Sequence, residues 1–243
     1  MKPFFHFTRL PVGRSWLSSA LAGLLALCLI TATLISACGG GVGSGGSGTG
    51  LASFAEGGVG GFGRVVVDDT EFNDTLASVQ IASADGSRIN TQAKLGQRVL
   101  VAYNSNNMAT TIQVLPQLIG PASGAPDSSG WLKVADQWVQ VVDTANTTAS
   151  GPVTLVSGLT GLSAITAADE LEVHGNWVLD RSLNAWVLMA TRVEKLDTAD
   201  THVLVSGIVH SLLGNTQLRI NSATGSLLQS SNLPTAIKAG QLV

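Results

Sequence analysis

Two short alternating segments separated by a two-residue polar turn occur twice in this chain, and they restrict it to β structure. Gly63-Arg64-Val65-Val66-Val67 leads through Asp68-Asp69 into a second segment, and 67 residues later Gly130-Trp131-Leu132-Lys133-Val134 leads through Ala135-Asp136 into another. A period of two puts side chains alternately on the two faces of a strand, and a two-residue turn fixes which residues stand opposite each other. In that register Val65, Val67, Thr70 and Phe72 share one face of the first hairpin, and Leu132, Val134, Val139 and Val141 share one face of the second. From residue 51 onward Val, Thr, Leu, Ala and Gly dominate, with turn residues every eight to twelve positions, which is the pattern of an all-β protein. The only helix-like patches, 163–170 and 233–239, are short enough to be single turns leading into strands.

A later element recurs as Ala109-Thr110-Thr111-Ile112 and Ala190-Thr191-Arg192-Val193, and a third copy is expected to open at Gly207-Ile208-Val209, with Thr216-Gln217-Leu218-Arg219-Ile220 as its partner across a turn containing Gly214-Asn215. Together with Leu95-Gly96-Gln97-Arg98-Val99-Leu100-Val101 and its echoes Asp169-Glu170-Leu171-Glu172-Val173 and Gly240-Gln241-Leu242-Val243, these motifs resemble the domain-of-unknown-function 5666 family over most of 54–243. The resemblance implies tandem small β-barrel modules, similar to OB-folds, on bacterial lipoproteins, and it supplies no catalytic residue. Asp169 stands where that family usually has Gly. The expected organisation is a signal at 1–37, a lipidated cysteine and tether at 38–52, a first module at 53–120, a second at 121–200 and part of a third at 201–243. The third is expected to be incomplete because the 46 and 60 residues from opening glycine to Ala-Thr strand in the first two copies, counted from Gly207, reach past Val243 to 253–267.

The N-terminal segment supports export. Lys2, Arg9 and Arg14 precede an unbroken apolar run at 20–30, the order of a secretory signal. Leu34-Ile35-Ser36-Ala37-Cys38-Gly39 then resembles a lipobox, which implies cleavage before Cys38 and acylation of its thiol. An uncleaved anchor over 17–37 is the alternative, at the cost of burying Ser18, Ser19, Thr31 and Thr33 in lipid. A spanning helix would not need the cysteine, nor residues 39–50, built only of Gly, Ser, Thr and one Val. Those 12 residues form a flexible tether with an r.m.s. reach of roughly 20 Å. More than one acyl chain on Cys38 makes attachment effectively permanent.

Processing also constrains the chemistry. Cys28 leaves with the signal and Cys38 is blocked by lipid, so disulfides, thiolate metal sites and thiol nucleophiles are excluded. Loss of Lys2, Arg9 and Arg14 leaves 10 basic against 16 acidic residues, a net charge of −6, which argues against nucleic acid as a partner. Gly58-Val59-Gly60-Gly61-Phe62-Gly63 has dinucleotide-binding spacing but precedes a strand instead of following one. There is no Gly-x-Ser-x-Gly elbow. His174, His202 and His210 are scattered; if 202–210 is one extended strand, its ends lie roughly 26 Å apart, too far to share an ion. Asp68, Asp69, Glu71 and Asp74 are dense enough to suggest calcium, yet an EF-hand counted from Asp69 would have Asp74 at its glycine position and Gln80 at its glutamate position. They read as a solvated turn.

Aromatic placement is the remaining signal. The mature tryptophans, Trp131, Trp138, Trp177 and Trp186, all lie in the second copy. The hairpin register puts Trp131, Lys133, Trp138 and Gln140 on the face opposite Leu132 and Val139, with Lys133 across from Trp138 and able to make a cation–π contact. The first copy has Arg64, Val66, Glu71 and Asn73 there, so the fold does not demand aromatics. Flat rings beside polar groups suit sugar stacking; the alternative is that a neighbouring module or loop covers them. The expected protein is therefore a cofactor-free, non-catalytic binding or structural lipoprotein, tethered to the envelope and partnered by a glycan or an envelope protein. Gly39 after the cysteine points to the outer membrane of a Gram-negative cell. A glycan-binding module and a hydrolase of envelope polymers are the alternatives, the latter requiring convergent carboxylates or a positioned base.

Overall fold

The computed structural model describes residues 53–60, 65–67, 69–143, 148–149, 151–197, 202–225, 227–229, 233 and 237–243. The signal, Cys38 and the tether lie outside the described residues, as do Gly63, Arg64 and Asp68. The described chain is all-β; its one helical element is the 3-10 turn Leu162–Ala164, which overlaps the start of the first expected helix-like patch.

The first copy contains β1 (Ser53–Gly58), β2 (Val65–Val67), β3 (Thr70–Phe72), β4 (Ser78–Ala82), β5 (Arg88–Asn90), β6 (Arg98–Tyr103) and β7 (Ala109–Val114). β1 pairs antiparallel with β6 and β6 with β7, while β4 runs parallel to β7 and carries β5 on its outer edge. The β2–β3 hairpin has the expected register, Val65 opposite Phe72 and Val67 opposite Thr70. It joins the sheet at both ends, through Val59–Val67 and Asn73–Met108 bridges, which curl the strands into a small barrel. Phe72, Val99, Val101, Ile112 and Val114 fill its interior.

The second copy repeats this order. β8 (Leu118–Pro121), β9 (Trp131–Val134), β10 (Gln137–Gln140), β11 (Leu155–Ser157), β12 (Glu170–Asp180) and β13 (Ala185–Lys195) follow along the chain. β8 pairs with β12, β12 with β13, β10 runs parallel to β13 and antiparallel to β9, and an Ala122–Val134 bridge closes β9 back onto β8. β11, like β4, runs parallel to the last strand. Even the β-bulge recurs, with Thr110 of β7 as the extra residue opposite Ala102 and Tyr103 and Thr191 of β13 as the extra residue opposite His174 and Gly175. β8 belongs to the second barrel, so that copy begins at Leu118, ahead of the boundary expected at 121.

The third copy is arranged differently from the sequence expectation. β14 (Leu204–Val205) pairs with β8, and β15 (Val209–Leu213), β16 (Gln217–Ile220) and β17 (Leu228–Gln229) form a three-stranded sheet. Gly207 separates β14 from β15, so 202–210 is not one straight strand. Val209 bonds to residues 240 and 241 as Val59 bonds to 96 and 97. Residues 207–209 therefore take the place of 57–59, where β1 ends, and not of the opening of β2; β15 continues beyond that point, and β16 takes the place of β2. The sheet covers its own small core of Val209, Leu218 and Ile220 and shares Val205 with the core of the second barrel.

One turn occurs in all three copies at intervals of 72 residues. The backbone N–H of Lys94, Thr166 and Lys238 each donates to the side-chain oxygen of the residue three positions on, Gln97, Asp169 and Gln241, at 2.8, 2.8 and 3.1 Å. The residue between, Gly96, Ala168 or Gly240, is left-handed, with φ of 79, 69 and 84°. The residue aligned with Gly96 is thus Ala168 and not Asp169, a correction of one position. Asp169 plays the part of Gln97, and its carboxyl is held down to about 2 by hydrogen bonds from Lys195 and from the Thr166 N–H. A left-handed alanine costs roughly 1–2 kcal/mol, against roughly 0.5–1 kcal/mol for the added freedom of glycine. Ala168→Gly is expected to raise stability by about 0.5–1 kcal/mol in denaturant titration. Gly96→Ala should lower it by about 2 kcal/mol, since its Cβ would lie 2.9 Å from the Thr191 carbonyl oxygen.

Candidate functional site

The β9–β10 hairpin is set by its turn. Ala135 and Asp136 have φ of 47 and 60°, the pair of left-handed residues that a type I′ turn needs. Trp138 stands opposite Lys133, and Gln140 opposite Trp131, while Leu132, Val134 and Val139 on the other face are buried in the barrel. The four expected ligand residues are brought together, but they do not form a flat platform. The Trp131 and Trp138 rings meet edge to face, 6.1 Å apart at 85°, and both are half-buried. Lys133 Nζ sits 5.0 Å from the Trp138 centroid and is tied to Asp136 Oδ1 at 2.8 Å. Gln140 Nε2 reaches the Ser129 carbonyl. Each group is used within the hairpin, and a sugar would find one indole edge and one partial face.

A second constellation lies where the turn of the first copy meets β12 and β13, and the sequence reading missed it. Glu172 stands opposite Glu194, and His174 opposite Arg192, so four ionisable side chains share one face of the sheet. His174 is fully buried, Glu172 nearly so. His174 Nδ1 accepts from the Arg98 backbone N–H at 3.3 Å, which leaves the proton on Nε2 to donate to Glu172 Oε1 at 2.7 Å. Gln97, 1% exposed, reaches the same oxygen. Burial works to raise the Glu194 pKa, but hydrogen bonds from Lys94 and Arg192 outweigh it and hold that carboxyl below the ordinary value. Thr191 Oγ1 and Arg192 Nη1 add bonds to the carbonyls of Gly96 and Leu95. The only signal in the sequence is the Glu172-x-His174 alternation, and its partners lie about 75 residues away.

The other two tryptophans lie on the part of the β12–β13 hairpin beyond the bulge. Trp177 stands opposite Leu188 and Trp186 opposite Leu179, so both rings share one face as diagonal neighbours. They line an open groove of about 640 Å³ with Glu56, Arg98, Gln117 and Asn176. Arg98 donates to Glu56 Oε1 through Nε and Nη2, at 3.0 and 2.8 Å, and to Asn176 Oδ1 through Nη1 at 2.8 Å. Trp177 Nε1 donates to Ser206 Oγ, which lies 2.8 Å from Gln117 Oε1. His202 and His210 are both exposed and take no part in this groove or in the junction. Among the described residues no three His, Cys, Asp or Glu side chains are grouped to hold a metal ion.

These features define a class, a protein of tandem small β-barrels joined by a buried polar junction. Compared with protein-family models, curated proteins and solved structures, the chain matches none. The junction itself is testable. Removing the Glu172 carboxylate strands the His174 N–H and the Gln97 amide, both buried, so Glu172→Ala is expected to cost about 2 kcal/mol or more in chemical denaturation. Glu172→Gln, which keeps an acceptor, should cost less.

Proposed function

We propose that this protein is exported, acylated on Cys38 and carried on its Gly-rich tether as a non-catalytic binding or structural component of a bacterial envelope, with the outer membrane as its site. The observation that carries the reading is the run from Leu34 to Cys38 joined directly to residues 39–50. A flexible tether of that length is of use when it holds a folded unit near a surface, and residues 53–243 supply one. The resemblance to the domain-of-unknown-function 5666 modules belongs to this reading. It is supported by the common strand order, bulge position and turn of the first two copies, which fit duplicated units.

Hydrolysis is disfavoured by how the acidic groups are used. Glu172 and Glu194 are the carboxylates that stand directly opposite each other in the second barrel. Glu172 is held by His174 and Gln97 beneath the first copy, and Glu194 is engaged by Lys94 and Arg192. Acids whose oxygens are spent on joining modules are poor candidates for a general acid and base.

The reading is tested on the membrane-bound protein. Mass spectrometry should show an N-terminal peptide beginning at Cys38 with acyl chains on it, and Cys38→Ala should be recovered in the soluble fraction or unprocessed. An intact Met1 on the membrane-bound form overturns the proposal.

A further inference from the structure

We propose that the groove between Trp177 and Trp186 is a binding site for a neutral oligosaccharide; this deepens the reading of the protein as a binding component of the envelope and rests on it. The groove is open on one side and about 640 Å³ in volume, within the range of small-ligand sites and suited to a short oligosaccharide. All three copies contribute to it: Glu56 and Arg98 from the first, Asn176, Trp177 and Trp186 from the second, Ser206 and Ile208 from the third.

Its chemistry selects among ligands. Two half-buried indoles on one face of a hairpin, Trp177 packed in part on the core of the second barrel, offer the remaining apolar surface on which a pyranose C–H face stacks. The polar wall is planar and self-compensated. Arg98 spends its charge on Glu56 through two hydrogen bonds and uses the third on Asn176, so the wall has no surplus charge for an anion such as a phosphate or a nucleic acid. What it leaves over is the second oxygen of Glu56 and the amide hydrogens of Asn176, an acceptor and donors placed side by side. A sugar hydroxyl is both donor and acceptor and can satisfy such a mixed edge. Main-chain groups around the groove are already paired: Leu115 with Arg98, Gln117 with Val173, Ser206 with Gln117, and Gly207 with Val243 in both directions. The outer edge of β12 beyond Val173 and that of β1 carry no neighbouring strand, so strand addition by a peptide is the competing mode that the titration must separate from sugar binding. The contrast with Trp131 and Trp138 is direct, because those rings use each other and Lys133, whereas Trp177 keeps its N–H on Ser206 and leaves ring surface to the groove.

The test uses the full acylated protein in micelles of a detergent without a sugar headgroup, titrated separately with maltohexaose, cellohexaose, laminarihexaose and chitohexaose, and read by calorimetry and tryptophan fluorescence. At least one hexasaccharide is expected to bind saturably below about 1 mM. Trp186→Ala should then weaken it by about tenfold or more, the scale of one lost ring stack, with Trp186→Phe recovering part of the affinity. Should Trp186→Ala fail to fold, Asn176→Ala decides, since Asn176 is exposed; it should also weaken binding severalfold. The assignment is overturned by failure of all four sugars to bind, by affinity unchanged in the folded Trp186→Ala or in Asn176→Ala, by loss of binding only in Trp138→Ala, or by saturable binding of a polar peptide in place of the sugars. None of those outcomes alters the acylation measured at Cys38, so failure of the groove is distinguishable from failure of the lipoprotein reading.

Discussion

The hydrogen bond between His174 and Glu172, buried beneath Gln97, is the interaction on which the rest of the arrangement depends. A carboxylate removed from water is tolerated only when donors replace the lost hydration. Here they come from two copies: His174 from β12 and Gln97 from the turn that precedes β6. The Arg98 backbone N–H on His174 Nδ1 completes the set by fixing which ring nitrogen carries the proton. Separating the barrels would take the Gln97 amide from Glu172 and the Arg98 N–H from His174, and would leave Gln97 without that acceptor. That coupling turns two small barrels, each with a core of modest size, into one cooperative body. It also explains why Glu172 and Glu194 can stand opposite each other, since Lys94 of the first copy and Arg192 offset their repulsion.

Much of the fold was legible because it is governed by local rules. The two-residue turns fix the registers of β2–β3 and β9–β10, and the Ala-Thr strands fall on β7 and β13, with Ala109 and Ala190 both buried. What was misread shares a cause. Gly207 resembles Gly130 in sequence because both open an apolar alternation, but they do different work. Gly130 is left-handed, with φ of 80°, at the entry to a hairpin. Gly207 has φ of 144° and lies where an added Cβ would fall 2.1 Å from Asn221 Oδ1, so it is selected by a contact with a residue 14 positions away. A glycine looks the same in sequence whichever constraint it serves. The converse holds at Ala168, a left-handed residue with no glycine to announce it, which shifted the alignment of the second copy by one.

The candidate site was legible in composition and not in geometry. That every tryptophan beyond residue 50 lies in the second copy is evident from the sequence, and the hairpin register correctly puts Lys133 over Trp138. Whether a ring is available for a ligand depends on what packs against it, and no local rule gives that. Trp131 and Trp138 satisfy each other edge to face. Trp177 and Trp186 share a face of β12–β13 past the bulge, where the wall opposite is built by residues 56 and 98 of one copy and 206 and 208 of another.

The same separation of scales accounts for the groove. No single copy contains it: the first contributes a charge pair that is already neutralised, the second two indoles, the third the hydroxyl that holds Trp177 in place. The bulge at Thr191, opposite His174 and Gly175, links the two levels. On its inner side β12 is committed to the buried junction through His174, and one residue beyond the bulge Asn176 receives Arg98, whose own backbone N–H bonds to His174. Arg98 therefore couples the junction to the groove through a single residue, backbone on one side and guanidinium on the other. The extra residue is Thr191 of β13, opposite the His174–Gly175 step, and its hydroxyl bonds to the carbonyls of Gly96 and His174. β12 itself alternates without interruption, so His174 and Asn176 keep to one face, the first buried against the turn of the first copy and the second exposed.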